Sequence, residues 1–358
     1  MANFYKSEVI TAMREQALVP VFYHPDLEVV LGIIGACTKG GSRLVEFTNR
    51  GEGAADLFGE VIKVCRKRHP EVMVGVGSVR DEITAGIYIG KGADFVVGPT
   101  FNPRIAEICN RHAVPYSPGC GSATEISNAE AAGSEIIKVF PGTEVGGPEF
   151  FKAIHGPAAR TQMMPTGGVD TTAESLQAWL VTGEAAALGV GSNLVRKELV
   201  AKKDFAAIEA DVRRVIGMIQ AIRMKMLAAK GVVFLGVHHV GLSAGNMAAT
   251  VKLLTDVCGF HTVGEPGAAT TVAGAVGAME VGPADVVKEP GHLALEVTDI
   301  GKALAELAKV GVKPDGEIKL RPDKTARIVY LAAGAFGLAM RVHLYCLYSE
   351  GVEALAKK

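Results

Sequence analysis

Up to about residue 195 the chain alternates short apolar runs with stretches of helical periodicity. The apolar runs are Leu18–Tyr23, Leu44–Thr48, Val72–Val79, Phe95–Thr100, Tyr116–Cys120, Ile136–Pro141, Gln162–Gly168 and Ala186–Ser192. Most are rich in β-branched or aromatic residues, the signature of parallel strands buried on both faces. Eight such runs separated by helix-length segments predict an α/β fold, a closed (β/α)8 TIM barrel. An open doubly wound sheet is the alternative. Against it, Gly75-Val76-Gly77 and Gly189-Val190-Gly191 lack the third glycine of a dinucleotide fingerprint. Residues 196–230 are charged and helical and read as a barrel-covering helix running into a connecting helix. After Gly231 the order changes. Val237–Leu242 reads as a strand, Asn246–Val257 as a helix, and three short strands follow to Val281. His292–Val297 is then a strand, Ile300–Val310 a helix, and further short strands run to Tyr345. This is a βαβββ unit occurring twice, an α+β domain. The expected organisation is a barrel over 1–212, a connecting helix over 213–231 and a second domain over 232–358.

One residue breaks the pattern. Lys138 stands inside Ile136-Ile137-Lys138-Val139-Phe140-Pro141, where an unpartnered ammonium would cost several kcal/mol to bury. A lysine there gives up its charge and becomes a nucleophile towards carbonyls, unless it lies at the strand's end and snorkels into solvent. Catalytic groups of such barrels gather at the C-terminal ends of the strands. Those ends here read Val45-Glu46-Phe47-Thr48-Asn49-Arg50, Gly75-Val76-Gly77-Ser78, Gly98-Pro99, Pro165-Thr166-Gly167-Gly168 and Gly189-Val190-Gly191-Ser192.

Composition narrows the partners. The chain has 358 residues, 49% hydrophobic and 21% charged, with a formal net charge of −1. That balance offers no electrostatic case for nucleic acid or an anionic membrane. No apolar stretch approaches the roughly 20 residues that span a bilayer. The first sixteen residues, with Lys6, Glu8, Arg14 and Glu15, read as an amphipathic helix and not as a signal peptide. Cys37, Cys65, Cys109, Cys120, Cys258 and Cys346 are scattered without a CxxC pair, which fits reduced thiols in a cytoplasmic protein.

Arg43-Leu44-Val45-Glu46-Phe47-Thr48-Asn49-Arg50, Ile137-Lys138-Val139-Phe140-Pro141 and Pro165-Thr166-Gly167-Gly168, in that order, resemble the KDPG/KHG aldolase family over roughly residues 5–215. The resemblance implies a class I aldolase that cleaves 2-keto-3-deoxy-6-phosphogluconate or 4-hydroxy-2-oxoglutarate, with no cofactor beyond the lysine Schiff base. It makes Lys138 the Schiff-base lysine and Glu46 the proton shuttle. Arg50 holds the pyruvoyl carboxylate, assisted by Ser78 and Thr166, and Pro99 and Phe140 shape the wall. The family usually has threonine where this chain has Ser78. Gly167, Gly168, Gly191 and Ser192 would receive a phosphate, and the loop Pro141–Gly147 is longer than the family pattern. The resemblance also implies a homo-oligomer, a trimer or a multiple of one.

Five of the nine histidines lie in the last third, at His238, His239, His261, His292 and His343. His239-Val240-Gly241-Leu242, Gly291-His292-Leu293-Ala294-Leu295-Glu296-Val297 and Cys258-Gly259-Phe260 resemble the vicinal-oxygen-chelate superfamily of glyoxalases and dioxygenases over roughly 234–346. In that superfamily paired βαβββ units hold a divalent metal. The resemblance makes His239, Glu280 and His292 ligands by matched position and adds His343, which stands, after a one-residue insertion, where the last strand usually offers a glutamate; the metal would be zinc, nickel, iron or manganese. His238 and His261 are expected at the surface. Two other readings stay open: a sugar-acid binding or regulatory protein, and a metal-dependent enzyme that uses the barrel as scaffold.

Overall fold

The apolar runs of the first half form nine short parallel strands. They are β1 (Leu18–Phe22), β2 (Leu44–Thr48), β3 (Met73–Gly77), β4 (Val96–Val97), β5 (Tyr116–Ser117), β6 (Gly119–Cys120), β7 (Ile137–Val139), β8 (Met163–Pro165) and β9 (Leu188–Val190). The computed structural model describes residues 2–244, 246–256, 261–263, 270–274, 277–282, 291–322, 324–332, 341–349 and 352–353. β5 and β6 are one run interrupted at Pro118, which has no N–H to give to a ladder. One sheet runs in the order β5-β4-β3-β2-β1-β9 and another in the order β6-β7-β8. A parallel bridge between Thr166 and Gly189 joins the end of β8 to β9. Backbone pairing therefore passes from β6 around to β5, and helices alternate with the strands in a barrel-type β/α fold.

The paired strands are shorter than the apolar runs. Phe95–Thr100 contributes only Val96–Val97 to the ladder, although Gly98 N–H still donates to Ser117 O at 3.1 Å. Side-chain oxygens of Asp26, Asp81, Ser122 and Thr172 accept from backbone N–H groups in the first turns of their helices and fix where each begins. Helix Lys6–Gln16 buries Val9 and Met13 against Val19, Leu44, Met73 and Ile136, residues at or just before strand starts. Each such side chain contributes about 1.5–3 kcal/mol of burial. That helix therefore packs across the N-terminal ends of these strands.

Contacts divide the chain into two compact units, Met1–Ile219 and Gln220–Lys358, and the division falls within helix Phe205–Ala229. The second unit contains β10 (Phe234–Ser243), β11 (His261–Val263), β12 (Thr270–Gly274), β13 (Gly277–Gly282), β14 (His292–Val297), β15 (Lys319–Leu320), β16 (Ala326–Tyr330) and β17 (Arg341–Leu347). Its helices Met247–Asp256 and Ile300–Ala308 each follow the first strand of a βαβββ unit. All eight strands form one sheet, in the order β11-β12-β13-β10-β14-β17-β16-β15. The two βαβββ repeats of this unit thus meet along the antiparallel β10–β14 pair in mirror order. Ile300, Ala303 and Leu307, spaced along one helical face, pack on Val329, Val342 and Leu344. The segment Cys258-Gly259-Phe260 and the side chain of His261 lie outside the described residues. Among the described residues, no helix is long and apolar enough to cross a membrane.

Candidate active site

Glu46 sits on β2, in register with Val21 of β1 and Gly75 of β3. Lys138 sits on β7, in register with Gly119 of β6 and Met164 of β8. Both are enclosed, with Glu46 1% and Lys138 5% exposed, so Lys138 does not snorkel. The bonds Ile137 N–H to Gln162 O (2.8 Å), Phe140 N–H to Cys120 O (3.1 Å) and Thr166 N–H to Val139 O (3.0 Å) pin the lysine's strand on both sides.

Burial pushes the Lys138 ammonium below the usual lysine range, a shift opposed by the charge of Glu46 and reinforced by that of Arg50. Burial also pushes the Glu46 carboxyl up, against the opposite pull of Lys138 and Arg50. Neither side chain makes an ion pair within 4 Å among the described residues, and Glu46 Oε2 has no hydrogen-bond partner. The Lys138 Nζ lies 4.9 Å from the centroid of the Phe140 ring. Such a contact favours the charged amine by about 1 kcal/mol, less than the cost of near-complete burial. Burial thus drives the amine of Lys138 towards its neutral form and the carboxyl of Glu46 towards its protonated form.

The glycine pairs of the strand ends make space. A Cβ on Gly77 would stand 2.6 Å from Glu46 Cδ and 3.0 Å from its Cγ, so only glycine admits the carboxylate there. Gly75 makes room for the ring of Phe95 in the same way, and Gly189 for the hydroxyl of Thr166. These two GxG fragments serve packing at the strands, which their spacing alone did not reveal.

A cavity of about 680 Å³ opens at the C-terminal strand ends. Of the residues expected at the site, Arg50, Phe140, Thr166, Gly167, Gly168, Gly191 and Ser192 line it. Ser78 and Pro99 do not stand on its wall, and Glu46 and Lys138 are enclosed in the sheet. Arg50 follows β2 on a segment held by Asn49 N–H to Gly77 O (2.8 Å), with the Asn49 amide oxygen accepting from Tyr88 O–H at 2.8 Å. The Arg50 guanidinium has no side-chain ion pair among the described residues, and the Thr166 hydroxyl has no partner. Gly167 and Gly168 have φ of 86° and 74°, left-handed values that glycine adopts without strain. Their turn is tied to the loop after Lys138 by Gly142 N–H to Thr166 O at 2.9 Å. Tyr23, His24 and Lys197 also line the cavity and were not expected. Tyr23 and His24 follow β1, and extending the strand-end rule to that strand would have found them.

In the second unit His239, His292 and His343 are buried, with one ring nitrogen of each within 4.8 Å of the others. They come from β10, β14 and β17, and Glu280 joins them from β13. Glu280 Oε2 lies 3.3 Å from His292 Nε2 and 3.8 Å from His239 Nε2. The His239 and His292 Nε2 atoms are 3.0 Å apart, and His343 Nδ1 is buried without a partner. Burial pushes His239 down to about 4 and His343 to about 3, so both rings are neutral at ordinary pH. The Glu280 carboxyl is held below its usual range, first by its hydrogen bond to His292. Gly241 gives up its side-chain space to the His292 ring. His238, expected at the surface, is half-buried, stacked on Tyr345 at 3.9 Å and joined to His239 by an Nδ1–Nδ1 contact of 2.7 Å.

The family model for KDPG and KHG aldolase matches residues 9–211. The 2-dehydro-3-deoxy-phosphogluconate aldolase of Haemophilus influenzae is 31% identical over 218 residues, covering 61% of this chain and 100% of that protein. The KHG/KDPG aldolase of Escherichia coli is 28% identical over 165 residues, 46% of this chain and 76% of its own. In fold, the chain is similar to the KDPG aldolase of Legionella pneumophila, solved with pyruvate captured as a covalent carbinolamine. That match has a TM-score of 0.53 and 24% identity, over 57% of this chain and 97% of that one. The chain belongs to the KDPG and KHG aldolase family and is a lyase, a class I aldolase.

Proposed function

We propose that the barrel, as a closed (β/α)8 unit, cleaves a 2-keto-3-deoxy sugar acid phosphate such as 2-keto-3-deoxy-6-phosphogluconate, or 4-hydroxy-2-oxoglutarate, through a Schiff base on Lys138. The observation that carries this reading is an enclosed lysine with no ion-pair partner, electrostatically coupled to an enclosed carboxyl with an unpaired oxygen. The neutral Lys138 amine adds to the C2 ketone to give a carbinolamine, which loses water to an iminium with Glu46 supplying the proton. Glu46 then takes the C4 hydroxyl proton. The C3–C4 bond breaks, its electron pair moves into the iminium as an enamine, and the aldehyde departs. Protonation at C3 and addition of water release pyruvate and restore the lysine.

The Arg50 fork would hold the pyruvoyl carboxylate in a bidentate pair, which fits its lack of an ion pair in the protein. Thr166, with its unpaired hydroxyl on the cavity wall, suits the same carboxylate, whereas Ser78 stands off that wall. Phe140 closes the wall over the lysine, whereas Pro99 stands off that wall. The Gly167–Gly168 turn with Gly191 and Ser192 supports the phosphorylated substrate, since backbone N–H groups after the last two strands are a common phosphate site of barrels.

The second unit is read as a glyoxalase-like domain of the vicinal-oxygen-chelate type, with His239, Glu280, His292 and His343 holding one divalent ion (zinc, nickel, iron or manganese). The donor set fits: three buried imidazoles with ring nitrogens within 4.8 Å of one another, a carboxylate beside them and an orphaned buried nitrogen on His343. When bound, such an ion would polarise an oxygen ligand as a Lewis acid. Free, mostly buried cysteines agree with a cytoplasmic setting, and the trimeric association implied by the family is checked by sedimentation.

Borohydride trapping tests the aldolase assignment. Pyruvate with borohydride should leave a stable adduct on Lys138, and Lys138→Ala should abolish it. An unmodified wild-type chain would refute the Schiff base.

A further inference from the structure

We propose that His24 is a specificity-determining residue of the barrel site, donating its Nε2–H to the hydroxyl on the substrate carbon next to the phosphate-bearing one. This rests on the sugar acid phosphate reading above and adds the side chain that reads the middle of that molecule. β1 pairs with β2 on one side and with β9 on the other. Arg50, proposed for the carboxylate, follows β2, while Gly191 and Ser192, proposed for the phosphate, follow β9. A substrate held at those two ends crosses the C-terminal end of β1. His24 stands two residues past that end, on the wall of the same cavity.

The His24 ring is firmly mounted. Its Nδ1 accepts from Asp26 N–H at 3.1 Å, and the Asp26 side chain accepts in turn from Val29 N–H at 3.1 Å, capping helix Leu27–Lys39. Pro25 between them restricts the backbone of His24 to extended angles. A ring nitrogen that accepts from a backbone amide carries no proton, so in the neutral imidazole the proton sits on Nε2. Among the described residues that Nε2 meets no hydrogen-bond partner. Tyr23, the neighbouring residue on the wall, is placed differently. Its ring tilts on Phe47 with centroids 5.5 Å apart, and Gly51 leaves room for its hydroxyl. A fixed, neutral N–H donor suits a hydroxyl oxygen, whose lone pairs accept. The charged ends have other partners: Arg50 for the carboxylate, and the Gly167–Gly168 turn with Ser192 for the phosphate. Cleavage between C3 and C4 leaves this hydroxyl on the released aldehyde, at the carbon beside its carbonyl. A donor that gives up water and finds no oxygen in return rejects the analogue lacking that hydroxyl.

The condensation direction tests the residue in the full chain. Pyruvate is joined either to glyceraldehyde 3-phosphate or to 3-oxopropyl phosphate, which lacks the hydroxyl, and kcat/KM is read for each aldehyde. The wild-type enzyme should prefer the hydroxylated aldehyde about 10- to 100-fold. His24→Leu and His24→Ala should bring the two within about twofold, by loss on the hydroxylated one, while pyruvate and borohydride still label Lys138. His24→Gln, whose amide keeps a donor, should restore part of the preference. The ratio compares two substrates on one enzyme, so a smaller folded fraction does not move it. A wild-type ratio near one, or a His24→Leu enzyme with the parent's ratio, would overturn the role of His24 and leave the aldolase reading standing. Adduct formation with pyruvate but no product from either aldehyde would overturn the sugar acid phosphate reading and the role of His24 with it.

Discussion

Replacing Gly77 by alanine adds one methyl group at the most crowded point of the aldolase site. The new Cβ would overlap Glu46 Oε1 and stand 2.6 Å from its Cδ, where ordinary contact begins at 3.4 Å, so the carboxyl must retreat by more than about 1 Å. Glu46 is 1% exposed, and its strand is paired on both sides, so the retreat cannot be shared with solvent or backbone. No left-handed φ is required at Gly77, and the effect is therefore steric and not conformational. Overpacking of this size costs about 1–3 kcal/mol of stability, which a barrel of this size can absorb. Displacement of a proton-transfer group by about 1 Å costs about 10²-fold in rate. The prediction is a kcat about 100-fold lower for release of pyruvate, read by a coupled lactate dehydrogenase assay, with KM little changed because Arg50 and the phosphate turn are untouched. A Gly77→Ala enzyme with kcat within twofold of wild type would refute the placement of Glu46 as the proton shuttle.

Lys138→Met should stabilise the chain by about 1 kcal/mol or more, since it removes an amine that burial holds below its ordinary range. An unfolded lysine binds its proton below 10.5 while the folded one resists it, so the gain should widen as pH falls from there to the depressed value; denaturant titrations at several pH values check the trend, and a gain independent of pH would count against it. Metal analysis should find about one divalent ion per chain, with His292→Ala lowering affinity about 100-fold; unchanged binding would remove His292 from the donors. Ser192→Asp should raise KM for the phosphorylated substrate about tenfold through like-charge repulsion and leave pyruvate proton exchange alone; equal effects on both would argue against phosphate at that turn.

The barrel was legible because each strand is an apolar run and its chemistry stands at the run's end. Lys138 could be singled out without its neighbours, since an amine inside Ile136–Pro141 is costly under any fold. The histidine cluster was legible for a related reason. His239 and His292 lie near the starts of matching units, and the sheet order brings those units together at its centre. What stayed hidden depends on distances between strands. The reason for Gly77 is a carboxylate on another strand, which no local window contains. Ser78 and Thr166 looked equivalent as hydroxyls after strands, yet only Thr166 reaches the cavity wall. Arg321 lies in a charged stretch with no pattern of its own, yet it lines one pocket with His238, His239 and Glu280.

The mirror order of the second sheet has a mechanical consequence. His239 and Glu280 belong to one βαβββ repeat, and His292 and His343 to the other, while among the described residues the strands of the two repeats pair only along β10 and β14. A bound ion would act as a rivet between sequence halves that could otherwise come apart along a single seam. With metal removed, that seam is where opening should begin, and each half should then melt on its own.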